Sequence, residues 1–238
     1  MKPIALIPHY NHGATLATVC TALRAHGLPV LVIDDGSNVA DLAAARELAA
    51  HDPAITLLER AHNGGKGAAV KDGIHWATQQ GYSHALQIDA DGQHDFADIP
   101  RFLAAGQQHP DALICGRPVY SADAPKSRLY GRKISNFWIW INTGSHDIPD
   151  GMCGYRLYPV ATTAALLRRH YTGNRMDFDI EILVHHYRHG TPMHWISTRV
   201  HYPADGRSHF RLWRDNLRIS AMHARLFLSG LLWRLRRP

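Results

Sequence analysis

Residues 86–93 read LQIDADGQ, an apolar run that ends in two aspartates one residue apart. Side chains alternate along a strand, so Asp89 and Asp91 can converge on one side where such a strand ends. Two hard carboxylates at that spacing suit Mg²⁺ or Mn²⁺ held jointly with a ligand's phosphates. An isolated D-x-D is as readily a solvated turn. An EF-hand loop is excluded, because Gln93 stands at its fifth position and His94 where its glycine is required.

The flanking sequence supplies the fold. Apolar runs at Pro3–Pro8, 28–34, Ile55–Leu58, Ala85–Ile88 and Ala112–Cys115 alternate with helix-like stretches at Thr15–His26, Val39–Ala50, Ala68–Gln80 and Asp98–Gln108. That rhythm predicts an α/β protein with a mostly parallel central sheet and helices on both faces. Such sheets bind ligands beyond the carboxyl ends of their strands, and YNHG, DDGS, NGGKG and DADGQ all fall on that rim. After residue 117 the rhythm changes. Pro125 can open a helix that carries Lys126, Arg128, Arg132 and Lys133 near helical spacing. A turn entering a strand is expected at Asp150–Pro159, an acid-rich helix at Met176–Tyr187, a late strand at His194–Tyr202, and a helix from Phe210 onward.

The 238 residues suffice for one core with an appendage, and the charge divides them. Residues 207–238 hold eight arginines and one acid, Asp215; that net of +7 within a total of +6 leaves −1 on residues 1–206. The expected division is a catalytic domain at 1–206 and a basic amphipathic helical appendage at 207–238. Arg211, Arg214, Arg218, Arg225 and Arg236 fall in a helical stripe about 60° wide, beside an apolar face that includes Ile219, Met222 and Leu226. One reading is a helix docked on the body with its arginines in water. The other is a helix on an anionic membrane surface, where each basic residue contributes about 1 kcal/mol. Nucleic acid is not expected, because the body is neutral and no binding motif accompanies the arginines. No run is long enough to span a bilayer, no signal-peptide order opens the chain, and the three cysteines lack metal spacing. A reducing cytosol fits, with the protein peripheral to the inner face of the cell membrane.

The loop Asn63–Gly67 is not a Walker A motif, since Gly67 and Ala68 follow Lys66, and no G-x-G-x-x-G follows the first strand. Lys66 at a helix N-terminus can still face an anion. Asp34 and Asp35 can cap the next helix, with Ser37, or accept a hydrogen bond from a nucleobase.

Taken together, IPHYN, VIDDGS, NGGKGAAV, LQIDADGQHD, ICGRP, DGMCGYRLYP and MDFDIEIL occur in the order seen in family-2 glycosyltransferases of the GT-A fold. The chain resembles the branch that contains dolichyl-phosphate mannose synthase and bacterial polyprenyl-phosphate glycosyltransferases, over roughly residues 3–205. That resemblance implies that Pro8, Tyr10, Asn11 and Asp35 hold the nucleoside of a UDP- or GDP-sugar, with Lys66 nearby. It implies that Asp89, Ala90 and Asp91 carry the metal and diphosphate, Gln93 adds a metal ligand, and Arg117 faces the sugar phosphate. Cys153-Gly154 departs from the usual Ser-Gly pair of that branch. Aligned with relatives that use a D-x-E, Asp179 becomes a general base and Glu181 its structural partner, with Asp150 as competitor. A base is needed for a hydroxyl acceptor and not for an ionised phosphate. The Asp177/Asp179 pair favours a hydroxyl. Lys126, Arg128, Arg132, Arg211, Arg214, Arg218 and Arg225 are expected to meet a lipid-linked or glycolipid acceptor or the membrane. The expected activity is inverting, metal-dependent sugar transfer. The rivals are a nucleotidyltransferase forming a nucleotide-sugar, which would want a basic glycine-rich loop after the first strand, and a non-catalytic membrane-associated scaffold.

Overall fold

The computed structural model describes residues 1–120, 126–200 and 212–235. Strands β1 (Pro3–His9), β2 (Val30–Asp34), β3 (Ile55–Glu59), β4 (His84–Gln87), β5 (Leu113–Tyr120), β6 (Arg156–Pro159) and β7 (Met193–Val200) form one sheet in the order β3-β2-β1-β4-β6-β5-β7. All neighbours pair parallel except β6, which runs antiparallel between β4 and β5. The rhythm read from the sequence holds for the five early strands. The reversal enters with DGMCGYRLYP, where a turn leads into the antiparallel strand.

Ile4, Ala5, Leu6 and Ile7 of β1 are all buried, as a strand covered on both faces requires. Their alternation splits the core. Ile4 and Leu6 face a cluster with α3 (Lys66–Gln79), α6 (Val160–Arg169) and α7 (Phe178–His189). Ala5 and Ile7 face one with α1 (Gly13–Ala25), α2 (Val39–His51) and α4 (Ile99–Gln108). β2 and β3 extend from one side of β1 and β4 pairs on the other, so the strand order reverses between β1 and β4, and the crevice at their carboxyl ends is where a ligand fits.

The remaining helices are α5 (Lys126–Thr143) and α8 (Leu212–Leu235), packed on each other, with α8 also against α7. Ile219, Met222 and Leu226 of α8 belong to the same core cluster as α7, so the inner face of the basic tail is part of the core. Pro125, Tyr202, Phe210, Arg211 and Arg236 lie outside the described residues.

Gly67, in the first turn of α3, lets that helix close on α7: a Cβ there would lie 2.4 Å from Phe178 Cβ. Alanine would gain about 1 kcal/mol in helix propensity but force apart two packed helices, which costs roughly 1–3 kcal/mol. Gly67→Ala is therefore expected to lower the denaturant midpoint, and an unchanged or raised midpoint would contradict this packing.

Candidate active site

Four loops meet at the β1/β4 crevice, around a cavity of about 920 Å³. After β1, Asn11 takes φ 55°, the one positive value on a non-glycine residue among those described, a conformation asparagine tolerates. Its N–H donates to Ser37 Oγ (3.0 Å) and its Oδ1 accepts from Asn38 N–H (2.8 Å), tying the first loop to the second. Asn38, rather than the aspartates or Ser37, caps α2 by accepting from Asp41 N–H. Asp34 sits 2.9 Å from His9 Nδ1. Burial alone would raise its pKa, but bonds with His9 and Ser37 outweigh that and lower it.

Asp35 lines the cavity with one face and organises the glycine loop with the other. It accepts from the N–H groups of Gly64 (2.9 Å) and Gly65 (2.7 Å) and pairs with Arg60. These loop N–H groups are thereby spent on Asp35 and not held for an anion. Gly65, at φ 103°, lies so near the Asn174–Arg175 backbone that a Cβ would meet Asn174 O at 2.5 Å.

That turn delivers Lys66, whose ammonium lies 2.7 Å from Asp89 Oδ1, 3.0 Å from Asp89 Oδ2 and 2.9 Å from Asp179 Oδ2. Burial opposes the charge on Lys66, yet Asp179 and Asp89 together raise its pKa well above the ordinary value. For Asp89, burial pushes upward and the Lys66 charge prevails, holding the carboxyl far below its usual range. Asp91 is shifted the other way: burial and the neighbouring Asp89 raise its pKa, the response of a carboxylate short of positive charge. Gln93 N–H donates to Asp91 Oδ1 (3.0 Å), and Thr15 Oγ1 pins Ala90 by donating to its carbonyl (2.6 Å). Asp89, Asp91 and Gln93 thus fit a divalent ion. Among the described residues no cluster of three His, Cys, Asp or Glu side chains could hold one alone, so a ligand's oxygens would have to complete the shell.

Pro8, Tyr10, Asn11, Asp35, Lys66, Asp89, Ala90, Asp91, Gln93 and Asp179 line the one cavity. Two expected residues stand apart. Arg117 is exposed on β5 and does not line it, because the alternation of β5 turns it outward. Asp150 does not line it either; its carboxylate accepts from Met152 N–H (2.9 Å) and Cys153 N–H (2.8 Å) and meets Arg132 at 2.6 Å, so it shapes the 150–154 turn. Arg132, Arg214 and Arg218 do reach the cavity, whereas no side-chain position is described for Lys126 or Arg128. Sequence reading missed Arg175, which donates to Asn63 Oδ1 (3.0 Å) across the rim, and buried Arg156, which donates to the Asp179 carbonyl (2.6 Å). A long-range pairing leaves no local pattern; only an arginine inside the apolar stretch YRLYP hinted at a buried role.

Of the arginine stripe of α8, Arg225 is the described member that pairs with the body. Arg225 grips Glu181, which is 1% exposed, through both carboxylate oxygens at 2.8 Å, and Arg218 meets Asp215 at 3.1 Å. Glu181 also accepts from Gly173 N–H (2.7 Å).

The mostly parallel seven-stranded sheet flanked by helices, with its crevice at the switch point, is a GT-A glycosyltransferase fold. The chain belongs to glycosyl transferase family 2, whose model matches residues 4–175. Over 164 residues it is 33% identical to a polyprenol monophosphomannose synthase of Mycolicibacterium smegmatis, covering 65% of this chain and 62% of that protein. An undecaprenyl-phosphate mannosyltransferase of Micrococcus luteus is 32% identical over 70% of each chain. Among solved structures, glucosyl-3-phosphoglycerate synthase from Mycobacterium tuberculosis superposes with a TM-score of 0.66 at 14% identity, over 98% of this chain and 79% of that one. Residues 1–349 of S. aureus TarS, in complex with UDP-GlcNAc, give 0.65 at 15%, over 95% and 66%. At those identities the shared property is the fold.

Arg225→Met would strand the Glu181 carboxylate in the core. A fully buried pair would cost 3–5 kcal/mol to break; Arg225 is partly solvated, so a loss of about 1–3 kcal/mol is expected by chemical denaturation. A loss below about 0.5 kcal/mol, the range of ordinary surface changes, would mean that Arg225 does not fasten α8.

Proposed function

We propose that the protein transfers a sugar, with inversion, from a nucleoside-diphosphate donor to the phosphate of a polyprenyl-phosphate acceptor. The observation that carries this reading is the state of Asp179. Its two carboxylate oxygens are both engaged within the protein, Oδ2 by the Lys66 ammonium (2.9 Å) and Oδ1 by Gln87 Nε2 (3.3 Å). Asp150, spent on two N–H groups and Arg132, is no better placed. With both of the expected bases engaged in this way, the site suits an acceptor that arrives ionised. The names of the two mannosyl-transferring relatives point to the same acceptor class. This reverses the preference for a hydroxyl drawn from the Asp177/Asp179 pair.

In this reading Asp35, Tyr10 and Asn11, which line the cavity, receive the nucleoside, and Asp89 and Asp91, with Gln93, hold Mg²⁺ or Mn²⁺. The ion supplies positive charge to the leaving nucleoside diphosphate. Arg175 and Lys66 bring further positive charge to the same cavity, and Arg132, Arg214 and Arg218 to its α5/α8 side.

A lipid acceptor also asks for a membrane-facing surface, and α5 and α8 provide an apolar one. Trp213 (85% exposed), Leu217 (68%), Leu228 and Leu231 recur at helical spacing on the outer side of α8, and Ile134 (62%) and Phe137 (55%) on α5. These two helices also carry Arg132, Ser135, Arg214, Arg218 and Ile219 into the cavity. No helix of the described residues is long and apolar enough to cross a membrane. Peripheral docking is therefore assigned to apolar side chains sinking into the interface, with arginines at the flank.

Two experiments test this. Asp91→Asn is expected to abolish metal-dependent transfer, while Asp179→Asn lowers turnover less than the 10²–10⁴-fold loss typical of a removed base. A full base-type loss in Asp179→Asn, with donor affinity kept, would favour a hydroxyl acceptor. In co-sedimentation with phosphatidylglycerol-containing vesicles, changing Trp213, Leu217, Ile134 and Phe137 to Ser should weaken binding by at least about 10²-fold, since each fully buried side chain contributes roughly 1.5–3 kcal/mol. Changing Arg214 and Arg218 to Gln should weaken it less. The reverse order would return the anchor to the arginines.

A further inference from the structure

Lys66 stands where two demands collide. Its ammonium lies within 3.0 Å of both oxygens of Asp89, the first aspartate of the D-x-D, and bridges from there to Asp179. An ammonium and a divalent ion are both hard cations, and they draw on the same few oxygens.

The surrounding chain directs the side chain there. Lys66 begins α3 directly after Gly65, which is locked by its positive φ and by Asp35. Ala68 N–H donates to Asn174 O (2.9 Å), clamping the same turn to the segment before α7. Asp179 is held independently, through Arg156 on its carbonyl and Gln87 on its carboxylate. Gly154 completes the enclosure. A Cβ at that position would lie 2.4 Å from Lys66 Nζ, 2.9 Å from Gln87 Nε2 and 3.0 Å from Asp89 Oδ1. The Cys153-Gly154 pair therefore keeps its glycine because only a hydrogen leaves room for the ammonium.

We propose that Lys66 is a resident counter-ion that competes with the divalent ion for Asp89, and releases it only when a nucleoside diphosphate offers the ammonium another anion. This rests on the donor-site reading above. Metal alone then binds weakly, and metal and nucleotide bind cooperatively. By linkage each raises the other's affinity by the same factor, and couplings of this kind are commonly 5–150-fold. The lysine keeps the carboxylates neutralised between turnovers and makes occupancy by metal report the presence of donor.

Calorimetry tests this with Mn²⁺ alone, and with Mn²⁺ in the presence of saturating UDP or GDP. Wild type is expected to bind Mn²⁺ more tightly once nucleotide is present. Lys66→Met should bind Mn²⁺ alone on the order of tenfold more tightly than wild type, with the coupling factor falling toward one. Lys66→Gln, which keeps a hydrogen-bonding group between the carboxylates, should do the same if the apolar variant does not fold. Arg175→Gln removes a cavity cation that is paired with Asn63 and should leave affinity for Mn²⁺ alone within about twofold, separating direct competition from general charge. The inference is overturned if both Lys66 variants bind Mn²⁺ alone no more tightly than wild type, or if Arg175→Gln produces the same gain. Wild type that binds no Mn²⁺ with either nucleotide would overturn the metal reading itself, and this inference with it.

Discussion

One buried ammonium holds the two halves of the site together. Lys66 enters from the start of α3, Asp89 from the end of β4 and Asp179 from the first turn of α7, so a single charge cluster joins the early parallel layer to the late helices. Buried charges persist only where they are paired and hydrogen-bonded, and this cluster meets that condition through the two ion pairs of Lys66 and the bond from Gln87 to Asp179. Breaking it would leave two carboxylates facing each other beneath the cavity. In the ligand-free protein the floor of the site is therefore held together by this one charge.

The antiparallel β6 makes that arrangement possible. It sits beside β4, so the turn before it, residues 150–154, abuts the Asp89 loop with Gly154 against the lysine. Asp150 and Arg132 hold that turn from the α5 side. The same helix, with α8, presents an apolar face outward and polar groups inward. In the proposed function, membrane contact and the cavity become two sides of one helix pair, which suits an acceptor whose phosphate must reach the donor while its hydrocarbon stays in lipid.

Much of this was legible in the chain. Five apolar runs separated by helix-length segments specify a covered parallel sheet, and the polar segments that end them specify the rim; both follow from local periodicity. The D-x-D was legible because β4 delivers both carboxylates within three residues. The fate of the other charges was not. Asp150 and Asp179 look alike in sequence, yet one turns into a loop cap and the other into a partner of Lys66 more than a hundred residues away. Arg117 looked inward until the alternation of β5 fixed it outward. For α8, the spacing located a stripe of arginines but not which side faces the body. Glu181, buried and needing a cation, decided that through Arg225.

The central claim is transfer to an ionised lipid phosphate, and the most direct measurement compares two acceptors of equal chain length. Purified protein with Mn²⁺ and a panel of nucleotide-sugars is offered either a polyprenyl monophosphate or the corresponding polyprenol, and glycolipid formation is followed by mass spectrometry. The account predicts a sugar–phosphate product from the monophosphate with at least one donor, and none from the alcohol. Transfer to the polyprenol, with the monophosphate inert, would contradict it.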